Sequence, residues 1–270
     1  MADHRVKPDT KVRLKDYDAN DTDGYKDRDK AEEEVKEDIR DLAKLQERLY
    51  AENKRALLVV LQAMDTGGKD GTVKHVFSGV NPAGCQVTNF KKPSDNELDH
   101  DYLWRIHNAL PAWGNIGIFN RSHYEEVLVV RVHNMVPPEV WKARYDQINR
   151  FEAMVSELGI TILKFFLHID KDEQKRRLQD RLDDADKTWK FSEMDIAERM
   201  LWDQYQEAYE DALSKCSTKT APWYIVPANK KWYRNLVVAR TIVNTLKEMD
   251  PHPPKAKIDL KKVKAVLEKS

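Results

Sequence analysis

The stretch Ala56-Leu57-Leu58-Val59-Val60-Leu61-Gln62-Ala63-Met64-Asp65-Thr66-Gly67-Gly68-Lys69-Asp70-Gly71 decides how the chain is read. Its first six residues are a continuous apolar run, which suits a strand buried on both faces of a parallel sheet. The run ends in a Gly-rich turn, and a helical segment follows through about Gly79. Against the phosphate-binding pattern G-x-x-x-x-G-K-[ST], residues 63–70 keep the central Gly68-Lys69, with Ala63 for the first glycine and Asp70 for the hydroxyl residue. In a strand–loop–helix setting, the N–H groups of Gly67, Gly68, Lys69, Asp70 and Gly71 form a concave anion site with the helix N-terminus. Lys69 adds a mobile charge. The lost Ser/Thr removes the usual hydroxyl ligand of Mg²⁺, and Asp65 is the candidate replacement because Mg²⁺ prefers hard oxygens.

Working outward, strands and helices alternate. A helix is expected from Lys26 to Asn53, with Val35, Ile39, Leu42, Leu45 and Leu49 on one stripe. Gln86 to Phe90, Ile116 to Phe119, Thr161 to Ile169 and Tyr224 to Pro227 read as further strands. Ser94 and Glu97 have the spacing of a capping box, predicting a helix that ends near Pro111, and Ser122 and Glu125 repeat that spacing. Helices are expected from Pro137-Pro138 toward Gly159, from Lys171 to Arg181, from Ser192 to about Leu213 and from Trp232 to Met249. This rhythm indicates an α/β domain over residues 26–250, with a mainly parallel sheet of about five strands and helices on both faces. Residues 1–25 read as a polar arm, and residues 251–270 as a Lys-rich tail with a short amphipathic piece. The two helices and polar loop of about 171–213 form either a lid or an ordinary helical hairpin packed on the sheet.

Composition narrows the class. Lys+Arg and Asp+Glu both number 46, so any basic site is local, and 41% hydrophobic residues exclude global disorder. No apolar run approaches the roughly 18 residues of a membrane span, and no signal peptide is visible. Two cysteines, Cys85 and Cys216, make neither a disulfide framework nor a zinc cluster, which fits a cytoplasmic protein. No module or basic aromatic stripe for nucleic acid occurs.

In doubly wound sheets ligands bind beyond the carboxyl ends of strands, so Asn120 and Arg121 should face the same crevice as Lys69. Arg121 offers a fork of donors matched to phosphate oxygens. Glu125 is explained by the capping box, which leaves Glu126 the functional candidate of that pair. Arg177 and Arg181, four apart, share a helix face beside the core-facing Leu178 and Leu182 and are candidates to close over an anionic substrate. Lys91 and Lys92, and Lys230 and Lys231, follow two strands near the same sheet edge. His123 reads as structural, and Trp202, Tyr205 and Tyr209 as packing.

At these residues the chain resembles the polyphosphate kinase 2 family. The similarity is carried by residues 61–71, by Phe119-Asn120-Arg121-Ser122-His123-Tyr124-Glu125-Glu126, by Lys164 to Ile169 leading into Lys171-Asp172-Glu173-Gln174, and by Pro227-Ala228-Asn229-Lys230-Lys231-Trp232-Tyr233-Arg234. The resemblance implies a P-loop kinase-like three-layer αβα sandwich with a helical lid. The implied activity is Mg²⁺-dependent, reversible phosphoryl transfer between inorganic polyphosphate and adenine or guanine nucleotides. The Ser-His-Tyr-Glu-Glu form is most similar to the class III branch, which takes AMP to ADP and ADP to ATP. It implies catalytic roles for Asp65, Lys69, Arg121 and Arg181, with Arg177 the other lid arginine. Lys230 and Lys231 would bind polyphosphate, and Asp65, Lys91 and Glu126 the nucleotide, Glu126 being tied to acceptance of monophosphates. A homodimer or homotetramer is implied as well. The residues alone leave open an ATP-dependent nucleoside monophosphate kinase and a non-catalytic nucleotide-binding protein.

Overall fold

The computed structural model describes residues 3–255, 258 and 260–268. Its strands are β1 (Ala56–Gln62), β2 (Cys85–Asn89), β3 (Ile116–Asn120), β4 (Ile160–His168) and β5 (Trp223–Pro227). They form one parallel sheet in the order β2-β3-β1-β4-β5. β1 is buried at every position and β4 at every position but Thr161, which is why both are continuous apolar runs. The chain leaves β1 for the edge strand β2, returns to β3, then crosses to β4 on the other side of β1. The strand order therefore reverses around β1, and the loops after β1 and β3 leave the sheet side by side, with Leu61 opposite Asn120.

The helices are α1 (Arg28–Glu52), α2 (Lys69–Val76), α3 (Asp95–Leu98), α4 (Trp104–Asn108), α5 (Val129–Val132), α6 (Pro138–Glu157), α7 (Lys171–Asp183), α8 (Glu193–Met200), α9 (Trp202–Cys216), α10 (Lys231–Met249) and α11 (Leu260–Leu267). α10 packs on β4 and β5 with α1 and α2 beside it, whereas α6 packs on β4 with α5 and α9. None of the described helices is long and apolar enough to cross a membrane. In the N-terminal arm, Val6 N–H donates to Trp223 C=O at 2.8 Å and Ile225 N–H to His4 C=O at 2.9 Å, covering the open edge of β5. Of the arm and the Lys-rich tail, residues 1, 2, 256, 257, 259, 269 and 270 lie outside the described residues.

Three local expectations change. The Ser94–Glu97 capping box forms, but its helix stops at Leu98. Asp101 then accepts Leu103 N–H on its side chain (2.9 Å) and Trp104 N–H on its carbonyl (3.0 Å), a local turn that competes with the helix. The helix from Ser192 breaks at Leu201. α8 buries no residue while α9 buries Trp202, Tyr205 and Tyr209, and the break lets α9 face the sheet while α8 stays outside. After Ser122 the chain makes a 3₁₀ turn, His123–Glu126, instead of a capped helix. Ser122 Oγ accepts from Tyr124 N–H and from Gln62 Nε2, both at 3.2 Å, and no bond from Glu125 closes a box.

That turn is held from below by a buried polar cluster. Lys164 Nζ donates to Glu152 Oε2 (2.5 Å), to the Tyr124 hydroxyl (2.7 Å) and to Cys216 C=O (2.7 Å). Glu152 Oε1 accepts from Tyr124 (3.0 Å) and lies 3.1 Å from His123 Nε2. Burial raises the Glu152 pKa, but Lys164 and His123 outweigh it and hold the carboxyl below its ordinary value of 4.5. The pair's stabilisation is thus present above pH 4.5 and is lost as pH falls through the lower folded value. Lys164→Met should cost about 3–5 kcal/mol in urea unfolding, because it strands a buried carboxylate. The double variant Lys164→Met/Glu152→Leu should recover most of that loss.

Candidate active site

The turn after β1 is shaped by its backbone. Gly67 N–H donates to Met64 C=O at 2.9 Å, and Thr72 donates to Gly68 C=O from its N–H (2.9 Å) and its hydroxyl (3.0 Å). A Cβ on Gly67 would lie 2.4 Å from Ala63 Cβ, and one on Gly68 would lie 2.1 Å from Arg234 Nη1. Gly68 also sits at φ 98°, which only glycine adopts freely. The N-terminus of α2 thereby opens on a crevice of about 740 Å³. Its walls include residues 65–71, Asn89, Lys91, Asn120, Arg121, Arg181 and Trp189.

Lys69 Nζ donates to Ala63 C=O at 3.1 Å, so the side chain folds along its own loop. Burial pushes its pKa down, and Arg121 adds to that, against Asp65 and Glu125. Arg121 is pinned to the end of β1 through its N–H bond to Leu61 C=O (3.1 Å), and its Nη2 donates to Asp65 Oδ1 at 3.2 Å. Thr66 (φ 63°) and Arg121 (φ 62°) are both left-handed, so each of the two loops holds a strained non-glycine residue at the crevice. Asn120 Nδ2 donates to Asp70 Oδ1 (2.7 Å) and to Asn89 Oδ1 (2.8 Å), tying α2 to the ends of β2 and β3. The acid that replaces the pattern's hydroxyl residue is the acceptor of that tie.

Arg177 and Arg181 part company. Arg181 lines the crevice and donates to Asp195 Oδ2 of α8 at 3.4 Å. Arg177, 5% exposed, is a strut beneath the turn. It donates to Glu173 Oε1 (2.6 Å), Thr66 C=O (3.0 Å), Ala228 C=O (2.5 Å) and Asn229 C=O (3.2 Å). Gln174, its neighbour, donates to Asp65 C=O at 3.2 Å.

Other expected residues scatter. Lys91 lines the crevice, but Lys230 and Lys231 line a separate cavity of about 640 Å³ with Arg28, Lys36 and Arg176. Glu126 accepts Arg144 Nη1 at 2.7 Å and is not among the crevice walls. Glu125, assigned to a cap in the sequence, instead lines a cavity of about 250 Å³ with Asp65, Arg121, Tyr205 and Tyr209. Burial raises its pKa, opposed by Arg121 and Lys69. Tyr209 packs as expected, on Phe166 at 4.4 Å between ring centres, and in addition walls this cavity. Asp195 was also missed; its one sequence signal was its capping spacing from Ser192, a box that forms.

Among the described residues no group of three His, Cys, Asp or Glu side chains could hold a metal alone. Mg²⁺ does not need one, since it keeps waters and takes phosphate oxygens alongside one or two carboxylates. The half-buried Asp65 at the crevice fits that demand, whereas Asn120 is neutral and its amide nitrogen is spent on Asp70 and Asn89.

The polyphosphate kinase 2 family profile matches residues 25–254. An AMP/ADP-polyphosphate phosphotransferase of Meiothermus ruber is 52% identical over 264 residues, 97% of this chain and 99% of that one. An ADP-polyphosphate phosphotransferase of Rhodopseudomonas palustris is 45% identical over 237 residues, covering 83% and 82% of the two chains. The crystal structure of polyphosphate kinase 2 from Arthrobacter aurescens TC1 superposes with a TM-score of 0.95 at 44% identity, over 98% of this chain and 95% of that one.

Gly68→Ala tests the turn. The forced left-handed alanine and the displaced guanidinium should cost about 1–3 kcal/mol of stability, read as a lower melting temperature. Gly24→Ala, at φ 75° with nothing within 4 Å of the added Cβ, should cost less.

Proposed function

The chain belongs to the polyphosphate kinase 2 family, and on that premise we propose that it passes the terminal phosphoryl group of inorganic polyphosphate to AMP and ADP, reversibly and with Mg²⁺. The convergence of the Gly-rich turn, Lys69, Arg121 and Arg181 on one crevice supports this reading. Such a transfer needs in-line positioning and neutralised charge more than covalent chemistry.

In this proposal the turn and Lys69 hold the donor's terminal phosphates. Arg121 exchanges its bond to Asp65 for phosphate oxygens, which releases the Asp65 carboxylate to hold Mg²⁺ and orient the acceptor. Bound Mg²⁺ supplies charge neutralisation across the transferred group. Arg181, reaching from α7 toward Asp195 of α8, completes the clamp when the lid closes. Within the segment 171–213 the part that moves is α8 with the loop before it, because α7 and α9 are anchored by buried residues. Lys91 binds the nucleotide at the crevice wall, and Lys230 and Lys231 hold more distant phosphates of the chain. Glu126 acts on the acceptor indirectly, through the turn that it and Arg144 brace and that carries Glu125. A cytoplasmic homodimer or homotetramer belongs to the same proposal.

The deciding assay supplies AMP, Mg²⁺ and long-chain polyphosphate without ATP; ADP and then ATP should appear. Lys69→Ala should lower turnover by about 10²–10³, the usual loss on removing one preorganised charge. Unchanged turnover would refute the assignment of the loop. Glu126→Asn should depress the use of AMP more than that of ADP; equal losses would remove Glu126 from acceptor selection.

A further inference from the structure

Arg234 lies in the first turn of α10 and is 2% exposed. Its guanidinium is pressed against the turn after β1. Nη1 is 2.1 Å from where a Cβ would stand on Gly68, and Nη2 is 3.5 Å from the same point on Gly71. Its side-chain hydrogen bonds run sideways to a neutral acceptor, Asn235 Oδ1, from Nε at 3.2 Å and Nη2 at 2.8 Å. Among the described residues no carboxylate pairs with it. The charge that bears on it is another cation, Arg177, whose own carboxylate, Glu173, is shared with Arg176. Burial, with Arg177, pushes the Arg234 pKa down to about 10, still high enough to leave it charged at neutral pH.

A buried guanidinium with no counter-charge is costly, and folded chains keep one only where something else repays the desolvation. Packing alone does not require it here, since a neutral side chain would fill the space without repelling Arg177. We infer that Arg234 is a positioning residue for the bound donor, its missing counter-charge being the phosphate held on the far side of the Gly68–Gly71 backbone. The inference rests on the phosphate-loop reading and adds a cation that the loop pattern does not contain. Arg234 need not touch the phosphate, because charges interact through the few ångströms of backbone between them.

The test uses the full chain, with inorganic tripolyphosphate as the probe, and compares wild type, Arg234→Gln and Arg234→Lys. Calorimetric titration should show Arg234→Gln binding about tenfold more weakly. In the absence of the probe its melting temperature should equal or exceed that of wild type, because an unpaired buried charge has gone. Arg234→Lys should keep affinity within about threefold of wild type. A merely structural arginine would give the reverse pattern, a lower melting temperature with tripolyphosphate affinity intact, and that result overturns the inference. Should Arg234→Gln fail to fold, Arg234→Lys decides: retained affinity supports the role of charge, and a tenfold loss overturns it. Wild type that binds no tripolyphosphate would sink the phosphate-loop reading as well; wild type that binds it as tightly as Arg234→Gln would sink this inference alone.

Discussion

Like charges crowd the turn after β1, and managing their repulsion is the constraint around which the site is organised. Lys69, Arg121, Arg177 and Arg234 all reach residues 63–71, and each is handled differently. Lys69 lies along the Ala63 carbonyl, Arg121 leans on Asp65, and Arg177 is saturated by Glu173 and three carbonyls. Among the described residues Arg234 has side-chain hydrogen bonds to Asn235 and no carboxylate. A chain whose acids and bases balance at 46 each gathers four cations at this one turn. Of the acids there, Asp70 holds Asn120, whereas Asp65 is shared with a cation, Arg121, that can turn to a phosphate.

Such a spot needs a stiff frame, and two sets of contacts provide it. On one side Arg177 joins the Thr66 carbonyl to those of Ala228 and Asn229, and Asn229 N–H donates to Ala19 C=O of the N-terminal arm at 3.1 Å. The arm thus braces the site as well as the edge of β5. On the other side the Glu152–Lys164 pair grips Tyr124 and His123, fixing the turn whose next residue is Glu125. A buried ion pair contributes little net stability against an apolar alternative. Its effect here is geometric, because the Tyr124 and His123 it holds lead directly into Glu125.

What could be read from the sequence follows from how local each determinant is. The sheet and the Gly-rich turn were legible because β1 and β4 carry apolar runs that suit burial on both faces, and because Gly67 and Gly68 announce a backbone that other residues cannot follow. Two of the site's acids, Glu125 and Asp195, were not. Glu125 has cap spacing from Ser122, but Ser122 Oγ is taken by Gln62 from β1, sixty residues away, and the segment winds into a tight turn. Asp101, likewise, ends a helix whose start was correctly marked, through a side-chain turn that apolar spacing does not encode. Lys230 and Lys231 follow β5, yet line a cavity other than the crevice, and strand order alone could not reveal that separation.

The two lid arginines show the same limit most sharply. Arg177 and Arg181 are one helical turn apart on one face, and by spacing they are equivalent. Their fates differ because α7 rises past the turn. At the level of Arg177 the neighbours are the carbonyls of Thr66, Ala228 and Asn229, the undersides of two loops, so the guanidinium is consumed in holding backbone. One turn further, α7 has cleared those loops, and Arg181 lines the crevice and reaches Asp195. A partly exposed arginine whose bond to Asp195 is 3.4 Å long can change that partner; a buried one engaged by four acceptors cannot without unseating the loop. The same helix therefore supplies a fixed support and a movable charge, and it is the height of each arginine above the sheet that assigns the role.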